Sequence, residues 1–147
     1  MAARQFLLRA EEALSQTERQ EKEWQRHFDV LPAVAEDGAS SCPFAKGLYL
    51  KSYEAEYYLR QARNSMIDLL ESADSHIGET TRELRQAEED EDVSEVHREN
   101  LRIEIDRARR MVAVLHQKIS FVRQSLADAD RKRFPGMRRW TTAGGEA

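Results

Sequence analysis

One cysteine, Cys42, is all the chain has, so no disulfide can close within it and a small disulfide-built scaffold is excluded. Three prolines and six glycines in 147 residues are too few for sandwiches, barrels or doubly wound sheets, which need turn residues every ten or so positions. No apolar run approaches the roughly 18 residues of a membrane-spanning helix. No GxxxxGK[ST], GxGxxG or GxSxG motif occurs, which leaves nucleotide-binding loops and the hydrolase elbow without support. His27, His76, His97 and His116 are dispersed, and none belongs to an HExxH or ExxH pair that would set two metal ligands on one helical face. Cys42, in Ser-Cys-Pro-Phe, has no neighbouring base to activate it and reads as a loop thiol. A non-enzyme with neither metal nor cofactor is expected.

Charge and helix formers are abundant instead. Charged residues make up 34% of the chain, and the expected class is all-α. Residues 131–140 (RKRFPGMRRW) hold five basic residues and no acid, with Glu146 the only later charge; since the whole chain carries −4, the first 130 residues carry −8.

Apolar spacing divides the chain. Residues 1–29 form an N-terminal helix, with a seam of Leu7, Ala10, Leu14, Thr17, Glu21, Trp24 and Phe28. Residues 30–47 collect two prolines, two glycines and a Ser-Ser pair and read as a loop. A second helix runs from about Leu48 to Glu88, with a seam through Leu48, Ser52, Ala55, Leu59, Ala62 and Met66, then Leu70, Ala73, Ile77, Thr80, Leu84 and Ala87. The four-residue step from Met66 to Leu70 is a stutter in its heptads. The third helix has the strongest pattern. Leu101, Ile105, Ala108, Val112, Leu115, Ile119, Val122, Leu126 and Ala129 keep a four-three spacing without a polar interruption, the signature of a coiled coil.

Between the long helices lies Glu88-Glu89-Asp90-Glu91-Asp92. Acids are unfavourable at a helix C-terminus and favourable at an N-terminus, and Asp92 with Glu95 has capping-box spacing. A turn within 88–92 is therefore expected, making residues 48–131 an antiparallel coiled-coil hairpin rather than one continuous rod. Folding at residue 90 brings residues 66–70 level with 110–114, where Ile67, Leu69, Met111 and Val114 add apolar surface off the seam. The N-terminal helix, folding back from the loop, brings Phe6, Leu7, Leu8 and Leu14 to the same height. A partial three-helix bundle is expected there, with a bare two-helix arm over about 73–107. The charged pairs Glu23/His27, Glu56/Arg60 and Asp106/Arg110 have helical-neighbour spacing and are expected on solvated faces.

Two sets of residues are candidates for binding. The C-terminal tail, 132–147, with Arg131 just before it, carries Lys132, Arg133, Phe134, Arg138, Arg139 and Trp140, a basic-aromatic mixture that binds phosphates and stacks on bases, rests on an anionic surface or clasps an acidic protein. It is expected to serve docking rather than folding. On the hairpin, Ile103 projects off the seam, and Tyr49, Tyr53 and Tyr57 form an i, i+4, i+8 stripe that either locks the loop and tail onto the bundle or presents an aromatic face to a partner. In outline, residues 48–131 resemble the stalk proteins of flagellar and type III export apparatuses, with no shared motif. These readings lead to a structural or adaptor subunit docking through coiled-coil helices onto helical or filamentous proteins or another copy of itself, with nucleic-acid or anionic-surface binding through the tail as the alternative. A reducing, cytoplasmic compartment suits the single cysteine, and the acid-free stretch Met1 to Ala10 leaves mitochondrial import as the other address.

Overall fold

The computed structural model describes residues 2–31 and 43–132, with side chains over 5–31 and 43–130. Of the described residues 92% are helical, in three helices: α1 (Ala2–Asp29), α2 (Ala45–Glu89) and α3 (Glu95–Lys132). Helices α2 and α3 pack against each other as an antiparallel hairpin, and α1 packs on α2. The expected all-α hairpin with a packed N-terminal helix is the fold observed. α2 starts three residues before Leu48, with the Leu48 N–H bonding the Phe44 carbonyl at 3.0 Å. The helices pass through two compact units, one of the described residues within 1–16 and 63–120, the other of those within 17–62 and 121–132.

The first unit contains the turn. α2 ends within the acidic run, with Glu88 and Glu89 in its last turn against the helix dipole, and the cap of α3 is Ser94, not Asp92. The Ser94 Oγ accepts the His97 N–H at 3.2 Å and its carbonyl accepts the Arg98 N–H at 3.2 Å. Asp92 donates its N–H to the Asp90 carboxylate at 2.9 Å, and Val93 donates to the Asp90 carbonyl at 3.2 Å, so residues 90–93 are spent closing the turn. Arg98, a polar break in the heptad, holds the other side. Its Nε donates to the Ala87 carbonyl at 2.8 Å and its Nη2 to the Asp90 carbonyl at 2.7 Å. A cation thus satisfies one of the terminal carbonyls of a helix whose last turn has no basic residue of its own, and the first carbonyl beyond it. Arg98→Met keeps the aliphatic stem and removes the donors. It should destabilise the turn by about 1–2 kcal/mol and speed amide hydrogen exchange over residues 84–100 while leaving the far ends of both helices protected.

The core of this unit is Phe6, Ala10, Met66, Ala73, Ala108, Leu115 and Ile119, with Leu7, Leu14, Ile67, Leu69, Leu70, Met111 and Val112 packed partly buried around it. Three segments distant in sequence meet there, as their apolar surplus predicts. Three details differ. Phe6 rather than Leu7 takes the fully buried place, because Phe6, Ala10, Ala13 and Thr17 form a line adjacent to the expected one and both lines belong to one broad face. Val114 is exposed, since it stands 100° around the helix from Leu115 whereas Met111 stands about 40° away. The arm is covered further than residue 73: the Phe6 ring centroid lies 6.3 Å from that of His76, and Gln5 and Arg9 share a cleft with Ser75, His76 and Glu79.

The second unit is built on Trp24, Ala55, Leu59, Val122, Leu126 and Ala129, with Phe28 against them. A smaller cluster joins Ala45 and Tyr49 with Leu31 and Tyr53. The Trp24 and Phe28 rings stack at 5.3 Å between centroids. Glu56, expected on a solvated face, is buried beside its 3.4 Å contact with Arg60.

Candidate docking surface on the third helix

A helix in a hairpin buries one stripe and turns the rest of its circumference to water, and α3 fills its stripe completely. Leu101, Ile105, Ala108, Leu115, Ile119, Val122, Leu126 and Ala129 are buried and Val112 is half-buried. Within the first unit, α3 carries a second apolar set outside that stripe: Val96, Ile103 and Val114, with relative exposures of 71%, 39% and 44%. The steps of seven and eleven between them return, at 100° per residue, to within about 20° of one direction, so the three stand in line.

Charged pairs border this line. The carboxylate of Asp106 meets Arg110 at 2.8 Å, and Glu99 meets Arg102 at 3.2 Å. Arg102 also reaches Glu95 on its own helix at 2.9 Å and Glu88 on α2 at 3.7 Å, tying the hairpin together next to the turn. Hydrogen bonds from Arg102 and then Arg98 hold the Glu95 carboxyl below its ordinary value of 4.5.

The aromatic stripe on α2 does not form one face. Tyr49 is buried, Tyr53 is half-buried, and Tyr57 is exposed with its ring edge-on to Tyr58 at 5.5 Å. Steps of four turn about 40° each, so two of them carry the stripe about 80° around the helix, from the core into solvent. Tyr49 therefore belongs to the core beside Ala45 and Leu31, and Tyr57 with Tyr58 is the exposed part. In the tail, Arg131 and Lys132 belong to the end of α3 but their side chains lie outside the described residues, as do Arg133, Phe134, Arg138, Arg139 and Trp140. Cys42 also lies outside them.

Among the described residues, two of the clefts gather a histidine with other polar side chains. The first, about 260 Å³, is lined by Gln5, Phe6, Arg9, Ser72, His76 and Glu79 among others. Its imidazole is buried, and the nearby Thr80 hydroxyl donates to the His76 carbonyl at 2.9 Å while standing 3.5 Å from Nδ1. That hydroxyl proton is committed to the helix backbone, so the pair is not arranged as nucleophile and base. The second cleft, about 370 Å³ in the other unit, is lined by Glu23, Arg26, His27, Lys51, Glu54, Ala55 and Tyr58. Glu23 contacts His27 at 3.0 Å and Arg26 at 2.6 Å, and the hydrogen bond from His27, then that from Arg26, holds its carboxyl below 4.5. This is the expected pairing of Glu23 with His27 at the surface, enlarged by Arg26. Among the described residues no three His, Cys, Asp or Glu side chains gather as metal ligands, and no helix is long and apolar enough to cross a membrane.

No protein-family model matches the chain, and no curated protein or solved structure matches it. The likeness of outline to export-apparatus stalk proteins accordingly carries no argument.

Proposed function

We propose that the protein is a non-catalytic structural or adaptor subunit of a larger assembly, docking onto helical proteins through the outer face of α3. One observation supports this reading above the others: α3 completes its internal seam and still aligns Val96, Ile103 and Val114 in solvent. Single exposed apolar residues are ordinary on any surface, but a line of them along one rigid helix is the pattern by which helices recognise helices. The acidic body and basic tail would orient the docking, since charge acts on encounter and register more than on affinity. A reducing, cytoplasmic setting suits this role and the single cysteine.

The test is chemical cross-linking in extract from the source cells, with wild type compared against the triple variant Val96→Asp, Ile103→Asp, Val114→Asp. Cross-links from α3 to a helical protein should form with wild type and disappear with the variant, while circular dichroism shows the same helix content for both. Retention of the same cross-links by the triple variant would overturn the reading. The basic and aromatic residues of the tail favour a second one, binding of nucleic acid or an anionic surface, which requires an affinity that falls steeply with salt and vanishes when residues 131–147 are removed.

A further inference from the structure

The spacing of Val96, Ile103 and Val114 says what kind of helix fits beside them. A heptad seam drifts around a straight helix, whereas steps of seven and eleven together average about 3.6 residues per turn and stay parallel to the axis. The partner is then a helix lying alongside α3 over about five turns. On one edge of the apolar line stand Glu99 and Arg110; on the other stand Glu104 and Arg107.

This arrangement is self-complementary. When two copies of α3 are laid antiparallel with Val96 of one against Val114 of the other, residues whose numbers add to about 210 share a level. Glu99 then comes level with Arg110 of the second copy and Glu104 with Arg107, each combination occurring twice. In both cases acid and base stand on the same edge of the line, as a two-fold axis perpendicular to the helices requires. Ile103 falls close to the axis, facing its own counterpart and the aliphatic stem of Arg107. Parallel, in-register pairing would instead set Arg107 on Arg107 and Arg110 on Arg110. Of the present intrachain contacts, Glu99 with Arg102 and Asp106 with Arg110 are formed by side chains at least 41% exposed, so exchanging them for contacts across an interface costs little.

We propose that the outer face of α3 binds the same face of a second copy of this chain, the two helices running antiparallel about a two-fold axis at the level of Ile105. The proposal rests on the reading of this face as a docking surface and names its occupant. Sedimentation equilibrium on the full chain, over about 1 to 200 µM, measures it directly. Wild type should be a reversible dimer. Glu99→Arg and Arg110→Glu should each weaken dimerisation by about tenfold or more, and the double exchange should restore it to within about threefold of wild type. Ile103→Asp should be monomeric, with the helical circular dichroism of all four variants matching wild type. A wild type that stays monomeric across the range overturns the self-pairing, although α3 could still cross-link to another helical protein as proposed above. A double exchange no tighter than either single variant overturns the antiparallel register. A dimer indifferent to Ile103→Asp overturns both the pairing and the choice of this face.

Discussion

Leu115→Asp is expected to cost several kcal/mol and to abolish the cooperative thermal transition or shift it far down. Leu115 is fully buried in the cluster with Phe6, Met66 and Ile119. A carboxylate placed there loses its water and finds no cation in the cluster, so the chain either buries an uncompensated charge or opens the core. Domains of this size hold only about 5–15 kcal/mol of net stability, so either route removes a large part of it. Ile103→Asp is the matched control when the proteins are compared at a concentration where wild type is monomeric: the same kind of exchange on the same helix, but at a side chain 39% exposed, should cost about 1 kcal/mol or less. Urea denaturation followed by circular dichroism separates the two. A Leu115→Asp protein that unfolds at the wild-type midpoint would mean that α1, α2 and α3 do not share this core.

The position of Leu115 was legible because the heptad of α3 is unbroken from Leu101 to Ala129. Nine apolar residues in a four-three spacing leave only one face that can be buried. The turn was legible in place but not in chemistry. Five consecutive acids announce the end of one helix and the start of another, yet they offer several candidate caps. The cap that forms is Ser94, just beyond the run, and the turn is held by Arg98, which engages the carbonyls of Ala87 and Asp90 from eleven and eight residues away. A capping-box rule based on nearest-neighbour spacing sees Asp92 and Glu95 but not that long-range cation. The burial of Glu56 escaped for a related reason: spacing relates it to Arg60 but does not report what lies over the α2 flank that both share.

The candidate surface was only partly legible. Ile103 stood out as an apolar residue off the seam, whereas Val96 and Val114 were not joined to it, because steps of seven and eleven resemble neither the heptad nor its three-four alternation. A search for the straight-helix period over 18 residues would have found the line. Tyr49, Tyr53 and Tyr57 show the opposite error. Equal spacing suggests one face, but a four-residue step overshoots the helical repeat, and the resulting rotation divides the stripe between core and solvent.

The same geometry sets the register of α1, and there it predicts the second large effect. Phe6→Ala should cost about 3 kcal/mol, at the lower end for a buried phenylalanine because the site lies near the start of its helix. Phe6 is 3% exposed, belongs to the core cluster and meets His76 with its ring, so its removal leaves a cavity bordered by both α1 and α2. Leu7→Ala should cost less, since Leu7 is only partly buried at the edge of that cluster, and Leu8→Ala should cost almost nothing at 58% exposure. Hydrogen exchange identifies where the loss falls: in the Phe6 variant, amides of α1 within residues 5–16 should exchange faster than those of α3 at residues 101–119, because the α2–α3 seam does not depend on that ring. If Leu7→Ala proves more damaging than Phe6→Ala, the line through Leu7, Ala10 and Leu14 sets the register of α1. The helix would then sit rotated by about 100° at its first turn from the arrangement in which Phe6 fills the core.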